Sequence, residues 1–170
     1  MKAFKPDPKL DLVLERVVEV PPALVWECWT TPRHMKKWFT PAPWKTVEVE
    51  LDLRPGGRLY FVMESPEGQR FPHTGCYLEV VKGERITWTN ALGANYRPAV
   101  LGSGEMDFPF TAVVTMKKHG KGTKYTATAI HRDESASKVH EKMGFHDGWG
   151  MALDQFDALA KKLVTEHGDP

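Results

Sequence analysis

The sequence predicts an α+β fold in which an antiparallel sheet curls around one long C-terminal helix, and three observations predict it. Residues 12–131 alternate apolar and polar side chains in short runs bounded by Pro, Gly and Asn, the period of half-buried strands. The last third carries one broad apolar helical face, Phe145, Trp149, Ala152, Leu153, Phe156, Leu159, Ala160 and Leu163, with Asp147, Asp154, Asp157, Lys161 and Lys162 elsewhere on the wheel. Connections between the strands are short, which favours antiparallel neighbours. A face that wide must be covered by something large. At roughly 1.5–3 kcal/mol per fully buried large apolar side chain, it offers on the order of 10 kcal/mol to a sheet that wraps it.

The elements follow in order. Leu12, Leu14, Arg16, Val18 and Val20 alternate with Val13, Glu15, Val17 and Glu19, a strand stopped by Pro21-Pro22. Pro22 opens a short helix carrying Leu24, Val25, Trp26 and Trp29, and Thr31-Pro32 reads as the N-cap and first residue of a second short helix through Met35 and Trp38. Val47, Val49, Leu51 and Leu53 form one arm of a hairpin turned by Pro55-Gly56-Gly57 into Leu59, Phe61 and Met63. Cys76, Leu78 and Val80 lead through Lys82-Gly83 to Ile86, Trp88 and Asn90, another antiparallel pair. From Leu92 to Pro109 the chain is rich in Gly, Pro, Ala and Asn, which predicts a mobile loop. The runs 110–117 and 125–131 make the last hairpin, closed at His119-Gly120-Lys121-Gly122, and the run from Glu141 opens the long helix. Gly144, Gly148 and Gly150 each cost about 1 kcal/mol in a helix interior, so they mark a bend or a close approach by a backbone or ligand.

With 170 residues, 41% of them hydrophobic, the chain has enough for one core and too little for two, so residues 1–170 read as a single domain with 1–9 as an N-terminal tail. Lys+Arg 23 against Asp+Glu 22 leaves a net charge of +1, which offers no field to steer nucleic acid or an anionic membrane. The basic tip 117–124 has no aromatic interleaved for base stacking and reads as a solvated edge. Two cysteines, Cys28 and Cys76, without CxxC spacing give no support to a disulfide or zinc scaffold and fit a reducing compartment. No signal peptide and no membrane-spanning run is present, so the expected location is the cytoplasm.

Val20 to Pro32 followed by Trp38-Phe39, the turn Asp52 to Arg58, Gly75 to Val80, and Gly148-Trp149 together resemble the START-like (SRPBCC) superfamily, and more narrowly its Hsp90-ATPase-activator-homologue type. The resemblance implies a helix-grip architecture, seven antiparallel strands gripping the C-terminal helix, with a cavity between them that superfamily members use for lipids, hormones, polyketides and other apolar molecules. The eukaryotic activators that lend the type its name carry an additional N-terminal domain that engages the chaperone, for which this chain has no room.

Candidate residues follow from parity and from that implied cavity. Arg16 shares strand parity with Leu14 and Val18; a guanidinium pointing inward needs a ligand anion, or, as the more ordinary arrangement, a structural ion pair. His131 lies on the inward parity with Tyr125, Ala127 and Ala129, and His146 at the edge of the apolar helix face one turn before Trp149; either serves as a ligand contact or as a hydrogen-bonded structural histidine. Unbroken alternation places Cys76 inside as an apolar filler and His73 outside. Trp44, Phe61, Met63, Trp88 and Trp149 are candidate cavity walls, and Tyr96 and Arg97 belong to the expected lid over it. His140 and His146 are six residues apart and no HExxH or HxH occurs, so no metal is expected, and no phosphate loop or other cofactor motif is visible. The expected function is binding of a small apolar or aromatic molecule by a monomer or homodimer. Behind it stand a polyketide-cyclase or aromatase-like enzyme using His131 or His146 as acid and base, and a module that acts on a chaperone.

Overall fold

The computed structural model describes residues 4–104 and 107–167, so residues 1–3 of the expected tail and 105–106 of the expected loop lie outside the described residues. A seven-stranded antiparallel sheet in the order β1-β9-β8-β5-β4-β3-β2 is built from β1 (Asp11–Val18), β2 (Lys45–Leu51), β3 (Arg58–Glu64), β4 (Arg70–Val81), β5 (Arg85–Thr89), β8 (Phe110–His119) and β9 (Gly122–His131). Two short helices, α1 (Pro22–Thr30) and α2 (Pro32–Trp38), follow β1. The helix α4 (Phe145–His167) buries Phe145, Ala152, Leu153, Phe156, Leu159, Ala160 and Leu163. This is the helix grip that the alternation and the apolar helical face predict. No helix among the described residues is long and apolar enough to cross a membrane.

Local chemistry fixes the turns. Pro22 and Pro32 each sit in the first helical turn, where the missing N–H costs nothing, and Thr31 serves both helices: its N–H donates to Glu27 O while it occupies the N-cap of α2. The β2–β3 turn admits only glycine at position 57, because a Cβ there would lie 1.9 Å from Asp52 O.

Three expectations need correction. The C-terminal segment is two helices, not one: α3 (Glu134–Lys142) is capped by Asp133, whose Oδ1 accepts from Ala136 N at 2.9 Å, and Gly144 at φ +94° breaks it from α4. The stretch 92–109 is not a free loop. Leu92–Gly93 (β6) pairs with Arg97–Pro98 (β7) around a 3-10 turn, Ala94–Tyr96, and this hairpin is tied to the sheet by Asn95 N donating to Gly56 O at 2.8 Å and by the Tyr96 ring lying over Gly56. Asn90 pins the far end, donating to Phe108 O and accepting from Phe110 N.

The third correction concerns β4. Tyr77 faces Trp88 and Glu79 faces Thr87, so Leu78 is an extra residue, a β-bulge. A bulge inverts the parity of everything before it. Tyr77 therefore joins the core, and Cys76, paired with Thr89, lies buried on the opposite face of the sheet. His73, paired with Phe61, turns to the inner face, where its ring stacks on Phe61 at 4.8 Å.

Candidate ligand cavity

Between the concave face of the sheet and the start of α4 lies a cavity of about 290 Å³. Its walls come from every layer of the fold: Leu14 from β1, Trp29 from α1, Trp38 and Phe39 at the end of α2, Phe61 and Met63 from β3, Trp88 from β5, Tyr125 from β9, and Phe145, Trp149, Ala152 and Leu153 from α4. No charged side chain is among them. Gly148, in the first turn of α4, is among the lining residues, and a Cβ built on it meets nothing within 4 Å. The exposed Met143 and half-buried Gly144, Gly148 and Pro41 place the mouth between the α3–α4 junction and the segment after α2. That segment is clamped to α4 by Gln155, whose Oε1 accepts from Ala42 N (2.8 Å) and whose Nε2 donates to Trp38 O (3.0 Å) and Thr40 O (2.8 Å).

Polar groups in the wall are few. The buried Tyr125 hydroxyl is pushed up from its ordinary pKa by desolvation, against a smaller downward pull from the neighbouring Trp29 side chain. Trp88 Nε1 has no hydrogen-bond partner among the described residues. His140 is buried in the wall amid Phe108, Phe110, Phe145 and Trp149, and its Nδ1 lies 2.8 Å from Nε2 of His131. Nδ1 of His131 in turn lies 2.8 Å from Leu10 O. Desolvation by burial, and then the neighbouring His131, lower the His140 pKa to about 4.

Of the residues expected at the site, Phe61, Met63, Trp88 and Trp149 line this cavity. The others lie outside it. Arg16 points inward but is held at the sheet–helix margin by Asp154 (Nη2 to Oδ1, 2.6 Å) and Gly150 O (3.2 Å), the ordinary ion pair. His131 is buried one layer behind His140. His146 is exposed, because the helix starts afresh after Gly144 with Phe145 turned in and the next side chain turned out. Trp44, before β2, is 37% exposed and packs on Phe71 at 5.5 Å. Cys76 is on the far face through the bulge. Tyr96 and Arg97 sit in the tethered hairpin and border no part of the cavity; the chain after them borders a separate, more open depression with α3. Sequence reasoning missed His140, which stands two turns into a helix announced by the capping residue Asp133. Among the described residues no cluster of His, Cys, Asp and Glu is arranged to hold a metal ion.

The family model described as "Activator of Hsp90 ATPase homolog 1-like protein" matches residues 19–161. No curated protein matches the chain. Among solved structures, the crystal structure of protein NE0264 from Nitrosomonas europaea is 46% identical, covers 94% of this chain and 99% of its own, and superposes with a TM-score of 0.87. Protein Ms6760 from Mycobacterium smegmatis shares the fold at 24% identity (89% and 90% covered, TM-score 0.71), as does a solution structure from Arthrobacter aurescens at 19% (94% and 90%, TM-score 0.77).

Proposed function

The chain belongs to the activator of Hsp90 ATPase homolog 1-like family, and from that premise we propose that it binds a small apolar or aromatic molecule in the cavity between sheet and α4, as a cytoplasmic binding module and not as an enzyme. One observation carries the proposal: a void of about 290 Å³ with an uncharged, largely aromatic wall and a mouth at the α3–α4 junction. Ligand sites have this character, mostly apolar with a few polar groups to set orientation. The one imidazole in the wall is a weak base near neutral pH, since its pKa lies at about 4, and effective general acid–base catalysis needs a value near the working pH. The two free, buried thiols of Cys28 and Cys76 suit a reducing compartment.

Native mass spectrometry of the protein purified from its own host tests the reading. A small molecule retained by the wild type and lost in Gly148→Leu, which puts a side chain into the void, is the expected result. A protein that carries nothing, and whose melting temperature no member of an aromatic panel shifts, overturns it. Conversion of a bound compound by the wild type moves the protein to the enzyme class.

A further inference from the structure

We infer that the cavity selects a neutral aromatic molecule of about two fused rings that carries a hydrogen-bond donor, because the His131–His140 pair presents a bare imidazole nitrogen to the occupant. The inference rests on the cavity-binding reading and adds the chemistry of the ligand. It starts from a backbone carbonyl. Leu10 O can only accept, so Nδ1 of His131, 2.8 Å away, bears the proton of that bond. When the two rings share one proton across their 2.8 Å contact and Nδ1 of His131 is committed to Leu10 O, the one-N–H form of His131 makes its Nε2 the acceptor and Nδ1 of His140 the donor. A neutral imidazole has one N–H, so Nε2 of His140 is unprotonated, and the ring that carries it lines the cavity while its Nδ1 is committed to His131. Burial, aided by the neighbouring His131, favours the neutral form of His140. An apolar occupant that displaces water from this nitrogen leaves a buried acceptor unpaired, whereas a hydroxyl or N–H on the occupant satisfies it.

The rest of the wall narrows the class. Without a charged side chain lining it, the cavity heavily penalises a carboxylate, phosphate or ammonium, so the donor belongs to a neutral group. A dry cavity of about 150 Å³ takes benzene, and about twice that volume corresponds to roughly a dozen heavy atoms, the size of a two-ring aromatic. Trp88, also buried in the wall, adds an unpartnered indole N–H suited to an oxygen or a ring face on the ligand. His140 is thus the specificity-determining residue, and His131 is a positioning residue that fixes its tautomer.

Calorimetric titration of the full chain at mildly alkaline pH with 2-naphthol, naphthalene and 2-methoxynaphthalene tests this. The expected result is that 2-naphthol binds on the order of ten-fold more tightly than its methyl ether and naphthalene. In His140→Phe that preference disappears while naphthalene binding persists. Equal affinity of wild type for 2-naphthol and both comparators overturns the donor inference and leaves cavity binding standing; binding of none of the three overturns the two-ring ligand class, while cavity binding itself is judged by the molecule retained from the host. Nitrogen-15 spectra of the wild type give a readout that needs no ligand and no folded variant at position 140. A protonated Nδ1 and bare Nε2 at His140 support the assignment, and the opposite tautomer overturns it. In His131→Phe the two tautomers of His140 should mix; an unchanged Nδ1–H form overturns the positioning role.

Discussion

His140 shows how a single buried residue ties the site to stability. Burial first, and the neighbouring His131 second, lower its pKa from the ordinary imidazole value of 6.5 to about 4. The unfolded chain therefore takes up the proton before the folded one, so the contribution of this group is complete above about pH 6.5 and is lost as pH falls toward about 4. Urea unfolding near pH 7 and near pH 5 should show a larger loss in wild type than in His140→Phe, which has nothing to titrate at that position. Equal losses would remove His140 from the acid response. Gly148 makes the complementary point. It sits in the first turn of α4 with open space where a Cβ would go, so Gly148→Ala should stabilise the protein by about 0.5–1 kcal/mol in chemical denaturation, the ordinary gain of alanine over glycine in a helix. A destabilised Gly148→Ala would mean that the space is not available.

At the scale of elements, the segment after α2 depends on one side chain. Gln155 makes three hydrogen bonds to the backbone of residues 38–42, which carry Trp38, Phe39 and Pro41 in the cavity wall. Gln155→Ala should cost about 1–3 kcal/mol in urea unfolding and should loosen that segment in hydrogen exchange; protection as in wild type would show that the clamp is redundant. The hairpin β6–β7 has the opposite status from the one its composition predicts. Because the Asn95 amide donates to Gly56 O, it should exchange slowly without any ligand, and the exchange that a ligand slows should lie instead at Met143–Gly144, at the mouth. Fast exchange at Asn95 together with ligand-dependent protection there would restore the lid. The elements most legible in the sequence were those with an unbroken period: β1, β9, and the apolar face of α4 from Phe145 to Leu163. Periodicity fails where the backbone breaks it. The extra residue Leu78 misplaced both Cys76 and His73, and the left-handed Gly144 turned His146 outward while hiding α3, whose short polar sequence has little apolar face to announce it.

Over the whole molecule, β1 joins the sheet as an edge strand by pairing with β9 across more than a hundred positions, Leu14 with Ala127 and Arg16 with Tyr125, and the cavity is assembled from both ends of the chain as well as its middle. Four walls of the site could be read from the sequence because Phe61, Met63 and Trp88 sit on inward strand parity and Trp149 on the apolar helix face; His140 could not, since its place depends on how α3 returns to the end of β9. A fold that holds a void open gives up packing energy, at roughly 24 cal/mol for each Å³ left truly empty, so filling the void should raise stability and a ligand should do so reversibly. A molecule that binds only the folded chain contributes about 2.7 kcal/mol when present at one hundred times its dissociation constant. For a chain of 170 residues, each kcal/mol moves the melting temperature by about 2–4 °C, so a saturating cavity ligand should raise it by roughly 5–10 °C. The same ligand should leave Gly148→Leu unmoved, whose own melting temperature should be no lower than that of the wild type because its side chain occupies the space that the ligand would take. A shift of equal size in the variant would place the ligand elsewhere on the protein, and a wild type that does not respond to any ligand shown by calorimetry to bind would mean that binding occurs equally well to the unfolded chain.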